Sequence, residues 1–422
     1  MSATTGEPLS NSEVVASVVR RAVAATTVTD VHTHLFPPAH GQLLLWGPDE
    51  LLTYHYLVAE FFMVAPRECT QERFWGMPKR AQADLIWQEL FLKRGALSEA
   101  ARGVITTFNA LGLDVAGRDL EGVRKWFAGR QSDGHLAEVF RLAGIDAAIM
   151  TNNPFVEAEA AFLDRALPCP PTLKASLRID PLLLDWKEAA AAMKRRGYRV
   201  GTSGDRKTHD QVRRFLLDWA RKIGATYFAA SLPPEFAYPD GSAGTRMLDR
   251  AVIPAAVEAG VPLALMIGVR KRVQPALGDG GDAVAPADMT AVMHLCQQYP
   301  QAKFLVTVLS RVNQHELCVL ARKFRNLHLF GCWWFCNNPS IIEEMTRQRL
   351  ELLGTAFTCQ HSDARVLEQV VYKWAHTRQI VADVLVDKYR DLLSAGWRPT
   401  EPEIARDVRA LFGGSFAEFL RK

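Results

Sequence analysis

Beyond about residue 145, short apolar runs rich in Val, Ile, Leu, Phe and Thr alternate with segments of helical period, and one such run also follows the opening helix. The pattern predicts eight strands: Val28 to Phe36, Asp146 to Asn152, Leu173 to Ile179, Tyr227 to Leu232, Pro262 to Val269, Lys303 to Leu309, Leu327 to Trp333 and Thr355 to Gln360. Between them it predicts helices over Glu157 to Ala166, Trp186 to Arg196, Asp210 to Ile223, Met247 to Glu258, Ala287 to Tyr299, Gln314 to Phe324 and Ile341 to Leu353. Leu263-Ala264-Leu265-Met266-Ile267 and Phe304-Leu305-Val306-Thr307-Val308 are apolar at every position or nearly so, as strands buried on both faces of a parallel sheet are. Alternating strand and helix eight times over favours a closed (β/α)₈ TIM barrel, and no G-x-G-x-x-G follows an early strand to mark a nucleotide crevice.

A barrel of this type takes about 250 residues. The surplus falls mostly between the first and second strands, where Glu50 to Phe62, Pro78 to Lys93, Ser98 to Ala110 and Leu120 to Ala128 have helical period, with Trp75, Trp87, Phe91 and Trp126 as aromatic anchors. The expected organisation is therefore an N-terminal helix and first strand over 1–37, a helical insertion capping the active site over 38–145, the remaining barrel over 146–365, and C-terminal helices over 366–422. The opening helix is expected to be capped at Ser12, and the last to be introduced by the capping box Thr400-Glu401-Pro402-Glu403.

Composition narrows the partners. The chain is 48% hydrophobic and 23% charged, an ordinary globular balance. Its 50 basic and 46 acidic residues leave a formal charge of +4 with no basic stripe, which argues against nucleic acid. No apolar run approaches the roughly 20 residues of a membrane span. The polar start, Met1 to Ser12, lacks a secretory pattern, so a cytoplasmic protein is expected. Seven widely spaced cysteines read as reduced thiols, Cys332 and Cys336 making a poor zinc motif by themselves. Self-association into a homo-oligomer stays open.

The sharpest chemical feature is Asp30-Val31-His32-Thr33-His34 at the end of the first strand. Residues two apart in an extended chain point to the same side, so His32 and His34 can present both imidazoles to one metal ion at the barrel mouth; two strand histidines satisfied by neighbours are the alternative. Asp363, in Ser362-Asp363-Ala364-Arg365 after the eighth expected strand, can complete the site with an oxygen, because first and last strands adjoin in a closed barrel; it could instead cap a following helix. Binuclear metallohydrolases on this barrel draw further ligands from the fourth to sixth strands. Here those strands contain no His or Glu, and Lys303 stands at the wrong end, so a single-metal site is expected.

Asp30 to Phe36, Leu51-Leu52-Thr53-Tyr54-His55-Tyr56, Leu177-Arg178-Ile179-Asp180-Pro181, Phe330-Gly331-Cys332-Trp333-Trp334-Phe335 and Ser362 to Arg365 together resemble the uronate isomerases, a branch of the amidohydrolase superfamily. The likeness runs over nearly the whole chain and fits the compact form of that family. It implies interconversion of D-glucuronate with D-fructuronate and of D-galacturonate with D-tagaturonate, a small-molecule sugar acid as partner, and one divalent metal, with zinc the expected ion.

Set against that chemistry, Arg178 is placed to clamp a carboxylate, with an ion pair to Asp180 as its alternative. Arg365 can meet developing enediolate charge or orient Asp363. His55 and Tyr56, early in the insertion, can assist proton transfers at the substrate oxygens, although neighbours on a helix diverge by about 100° and need an irregular backbone to face one site. Trp333 and Trp334 can wall the sugar or pack in the core. Arg270 is held in reserve, His315, His361 and Asn337 are candidate supporting partners, and Gly278-Asp279-Gly280-Gly281-Asp282 reads as a turn. Asp363 is the expected base, passing a proton between carbon 2 and carbon 1 through a cis-enediolate. The rival readings are a mononuclear hydrolase or decarboxylase on the same barrel, and a non-catalytic sugar-acid binder.

Overall fold

A computed structural model describes residues 6–165, 167–201 and 204–422. Seven parallel strands form one curled sheet in chain order: β1 Val28–Thr33, β2 Ile145–Asn152, β3 Leu173–Arg178, β4 Ala225–Leu232, β5 Leu263–Ile267, β6 Phe304–Val308 and β7 Leu327–Leu329. Each strand pairs with its sequence neighbour, as Leu263 with Phe304 and Phe304 with Leu327. Helices intervene and cover the outer face, giving the TIM-barrel type of fold.

Alternate residues of the strands enter two different cores. Leu263, Leu265 and Ile267 join Phe304, Val306 and Val308 against the surrounding helices, whereas Ala264 and Met266 point inward with Val31, Ile149, Tyr227 and Leu305. Both faces are dry, which is why these runs carry no polar alternation. Phe416 and Phe419, from the last helix Ser415–Arg421, join the inner cluster.

The eighth expected strand, Thr355 to Gln360, is not a regular strand. It makes a single parallel bridge, Phe330 with Thr358, and the chain from there to Val366 closes the gap between β7 and β1 by separate contacts. The Thr358 N–H donates to Leu329 O (3.0 Å), the Asp363 N–H to His32 O (3.1 Å), and the His34 N–H to Ala364 O (2.8 Å). Two reasons are local. Asp363 has φ +52°, a left-handed value incompatible with a strand, and the Gln360 side chain takes the Cys332 and His361 N–H groups (2.9 and 3.0 Å) that a ladder would have used.

Between β1 and β2 the chain forms helices with a hydrophobic cluster of their own, built on Phe61, Phe74, Ile86, Phe108 and Phe127. The expected helix Glu50 to Phe62 is broken into Pro48–Leu52 and His55–Val64, and Pro78 to Lys93 becomes Lys79–Ile86 continued by a wider turn, Trp87–Leu92. Ser132–Ala143 adds a helix that the aromatic pattern did not single out. The opening helix is capped by Asn11 rather than Ser12: its side chain accepts from the Glu13 and Val14 N–H groups. The capping box at Thr400 and Glu403 is formed. Ala166, expected to end its helix, and Met1 to Thr5 lie outside the described residues. Among the described residues no helix is long and apolar enough to cross a membrane.

Candidate active site

His32 and His34 leave the carboxyl end of β1 on the same side, while Thr33 between them turns away to donate to Ile149 O (3.1 Å). Their Nε2 atoms stand 3.5 and 3.3 Å from Asp363 Oδ1, and the three potential ligand atoms lie within 4.8 Å of one another. The outer nitrogens fix the tautomers. The single hydroxyl proton of Tyr227 goes to Val31 O (2.8 Å), so its oxygen accepts from His32 Nδ1–H (3.2 Å). Thr151 likewise gives its proton to Thr33 O (3.1 Å) and accepts from His34 Nδ1–H (2.8 Å).

Both Nε2 atoms therefore present lone pairs to a carboxylate oxygen, and His32 Nε2 and Asp363 Oδ1 are buried without a hydrogen-bond partner. Three electron-pair donors facing one another repel unless a cation lies among them. Ligands of a tetrahedral ion with bonds of about 2.0–2.1 Å stand roughly 3.3 Å apart, close to the spacings seen. The donor set fits one divalent metal ion. Burial pushes the His34 pKa down to about 4, against the raising effect of Asp363, so its lone pair is free at neutral pH.

The cluster opens into a pocket with about 590 Å³ of open space, lined among others by His34, Tyr54, His55, Arg178, Trp333, Trp334, Asp363 and Arg365. Arg178 comes from the end of β3; its guanidinium is bidentate to Asp180 (2.8 and 3.1 Å) and reaches Ser231 Oγ at 3.3 Å. The ion pair weighed as its alternative is formed, and Arg178 still lines the pocket. Arg365 donates to Asp279 (2.9 Å) across the mouth.

Over 98% of its length the chain matches a solved uronate isomerase from Bacillus halodurans at 50% sequence identity, covering 97% of that chain with a TM-score of 0.95. The chain belongs to the uronate isomerase family. A uronate isomerase from Thermotoga maritima (15% identity, 96% of this chain and 97% of that chain, TM-score 0.75) and a glucuronate isomerase from Caulobacter crescentus (14% identity, 96% and 94%, TM-score 0.76) share the fold. No family model and no curated protein matches.

In this member of the uronate isomerase family, the break at Thr53 and Tyr54 sets His55 as the first residue of its helix and lets Tyr54 and His55 both reach the pocket. The His55 ring lies 5.3 Å from Trp334, and burial, then Arg365, pushes its pKa down to about 3. Tyr56 sits behind it, ring centroids 4.5 Å apart, with its hydroxyl buried and unpartnered and outside the pocket lining. Trp333 is buried, and Trp334 adopts φ +40°.

Arg270 is exposed and pairs with Glu235, while His315 is exposed on its helix. His361 is buried 5.2 Å from His32, and Asn337 donates to the carbonyls of His361 and Ser362 (3.4 and 3.3 Å). Sequence reasoning missed the segment after β5. There Lys271, Asp279 and Asp282 line the pocket, Lys271 paired with Asp282 (2.6 Å). The glycine-rich stretch, expected as a turn, belongs to a 3₁₀ helix, Pro275–Gly281, kinked at Gly278, and its Asp279 reaches the site. A single Asp between glycines gives no signal of that.

Proposed function

We propose that the protein is a uronate isomerase, interconverting D-glucuronate with D-fructuronate and D-galacturonate with D-tagaturonate. The observation that carries the reading is the His32–His34–Asp363 cluster, whose His34 and Asp363 share one pocket with Arg178 and Arg365, in a chain half identical to a uronate isomerase. His32, His34 and Asp363 would hold one divalent ion, zinc by its taste for two imidazoles and a carboxylate. When bound, the ion supplies Lewis-acid stabilisation of charge on substrate oxygens.

The rest of the chemistry falls to side chains. Arg178, whose Nη1 is left free by its pair with Asp180 and its contact with Ser231, binds the substrate carboxylate. Asp363 takes the proton from carbon 2 of the aldose, exchanges it with solvent and delivers a proton to carbon 1, while the proton of the carbon 2 hydroxyl is lost and the carbonyl oxygen on carbon 1 gains one. His55, neutral at pH 7, is the relay for these oxygen-bound protons, with Tyr56 behind it. Arg365 faces the charge of the cis-enediolate, and Trp333 and Trp334 wall the sugar. The insertion, 38–145, acts as the cap that brings His55 to the barrel.

Incubating the purified, zinc-loaded protein with glucuronate and galacturonate in deuterium oxide tests this by NMR. Ketose carrying deuterium at carbon 1 is expected. Conversion of neither uronate, with turnover of amides, lactones or acyclic acids instead, would establish the hydrolase or decarboxylase reading. Ketose free of label after many turnovers would mean a hydride shift and overturn the enediolate.

A further inference from the structure

Asp363 holds a left-handed backbone, φ +52°, a region that residues with a Cβ enter sparingly. Something must keep it there, and the peptide plane preceding Asp363 is pinned at both ends. Its N–H donates to His32 O (3.1 Å). Its carbonyl, that of Ser362, accepts from Lys373 Nζ at 2.6 Å. Lys373 lies on the helix Gln369–Ser394 and is only 2% exposed. Among the described residues its ammonium has no carboxylate within ion-pair distance; the Tyr56 ring faces it at 5.4 Å.

The neighbouring residue completes a clasp. Trp374 Nε1–H donates to Asp30 Oδ2 (2.9 Å), and Asp30 Oδ1 accepts the Ser362 N–H (2.9 Å). Ser362 is thus gripped at its N–H by β1 and at its C=O by the helix. A buried ammonium without a carboxylate is costly. A core with only packing to satisfy would be better served by an apolar side chain, whereas a charge-assisted bond to a backbone carbonyl holds the peptide more firmly than a neutral one.

We propose that Lys373 is a positioning residue of the isomerase, fixing the Asp363 carboxylate opposite His32 and His34 through the Ser362 carbonyl. The claim rests on the functional reading above for its catalytic part, but its effect on metal binding stands apart from the substrate. Lys373→Met keeps the length of the stem and removes the charge, and Lys373→Arg keeps a cationic donor. The measurements are zinc affinity by competition with a chromophoric chelator, the melting temperature, and kcat and KM on glucuronate at saturating zinc.

Lys373→Met is expected to fold with an unchanged or higher melting temperature. Its zinc affinity should fall roughly 10- to 100-fold, as loss of supporting contacts to metal ligands does, and its kcat about tenfold or more, with KM within about twofold. Lys373→Arg should regain part of both losses. A Lys373→Met protein that fails to fold would make Lys373 a folding residue and overturn the proposal. So would one with wild-type zinc affinity and kcat, or one changed in KM alone. A wild-type protein that binds zinc yet isomerises neither uronate would refute the functional reading and leave the positioning claim to the affinity data.

Discussion

Replacing Tyr227 by Phe removes one oxygen from behind the metal cluster and almost no volume. In the native site that oxygen spends its proton on Val31 O and so obliges His32 to carry its own proton on Nδ1, leaving Nε2 free. Without it, His32 can move the proton to Nε2 and donate to Asp363 Oδ1, which lies 3.5 Å away with no other partner. The metal-free variant relaxes into a tautomer that blocks the site. Binding an ion then requires the proton back on a buried Nδ1 with nothing to receive it, a penalty of about 1–3 kcal/mol. At about 1.4 kcal/mol per tenfold, zinc affinity should fall roughly 5- to 150-fold. Competition against a chromophoric chelator measures this directly, and kcat at saturating zinc should return close to wild type. A Tyr227→Phe protein whose zinc affinity lies within twofold of wild type would refute the tautomer argument.

Asp363→Asn should lower isomerisation by about 10²–10⁴ and weaken zinc binding; retention of full turnover by this variant would remove Asp363 as the base. Gly331 stands at φ +67°, and a Cβ there would lie 1.7 Å from His361 Cδ2, so Gly331→Ala combines left-handed strain with overpacking. It should cost about 2–5 kcal/mol in urea unfolding, and an unchanged midpoint would contradict the close approach. Far from the site, burial first, then the Lys422 and Arg349 charges, pushes the His328 pKa down to about 3. Above about pH 6.5 both folded and unfolded states are neutral there; as pH falls below it only the unfolded state takes up the proton, so stability declines towards the folded pKa. The decline is about 1.4 kcal/mol per pH unit for this one group. His328→Gln should flatten the pH dependence of the urea midpoint between pH 6.5 and 4.5 relative to wild type, and parallel curves would dismiss the assignment.

The strand alternation of the barrel was readable because its inner and outer faces are both dry, which makes runs such as Leu263 to Ile267 distinctive. The pairing of His32 with His34 followed from the extended chain alone. The segment Thr355 to Gln360 misled because its composition suits a strand, while its Cys359 N–H bonds to Leu411 O and the Cys332 N–H opposite it goes to the Gln360 side chain, and composition does not reveal such substitution. The break before His55 was likewise hidden, since Thr53 and Tyr54 are not helix breakers. Lys373 was invisible for a different reason. A lysine within a long helix is ordinarily solvated, and only the approach of a distant peptide, Ser362, explains its burial.

The gap between β7 and β1 has a mechanical meaning for the whole molecule. Between β2 and β3, β4 and β5, and β5 and β6, neighbouring strands hold one another by continuous ladders, whereas the circumference is completed by isolated bonds on either side of Asp363. An ion shared by His32, His34 and Asp363 would straddle that seam and act as its buckle, so stripping the metal would slacken the hoop as well as silence the chemistry.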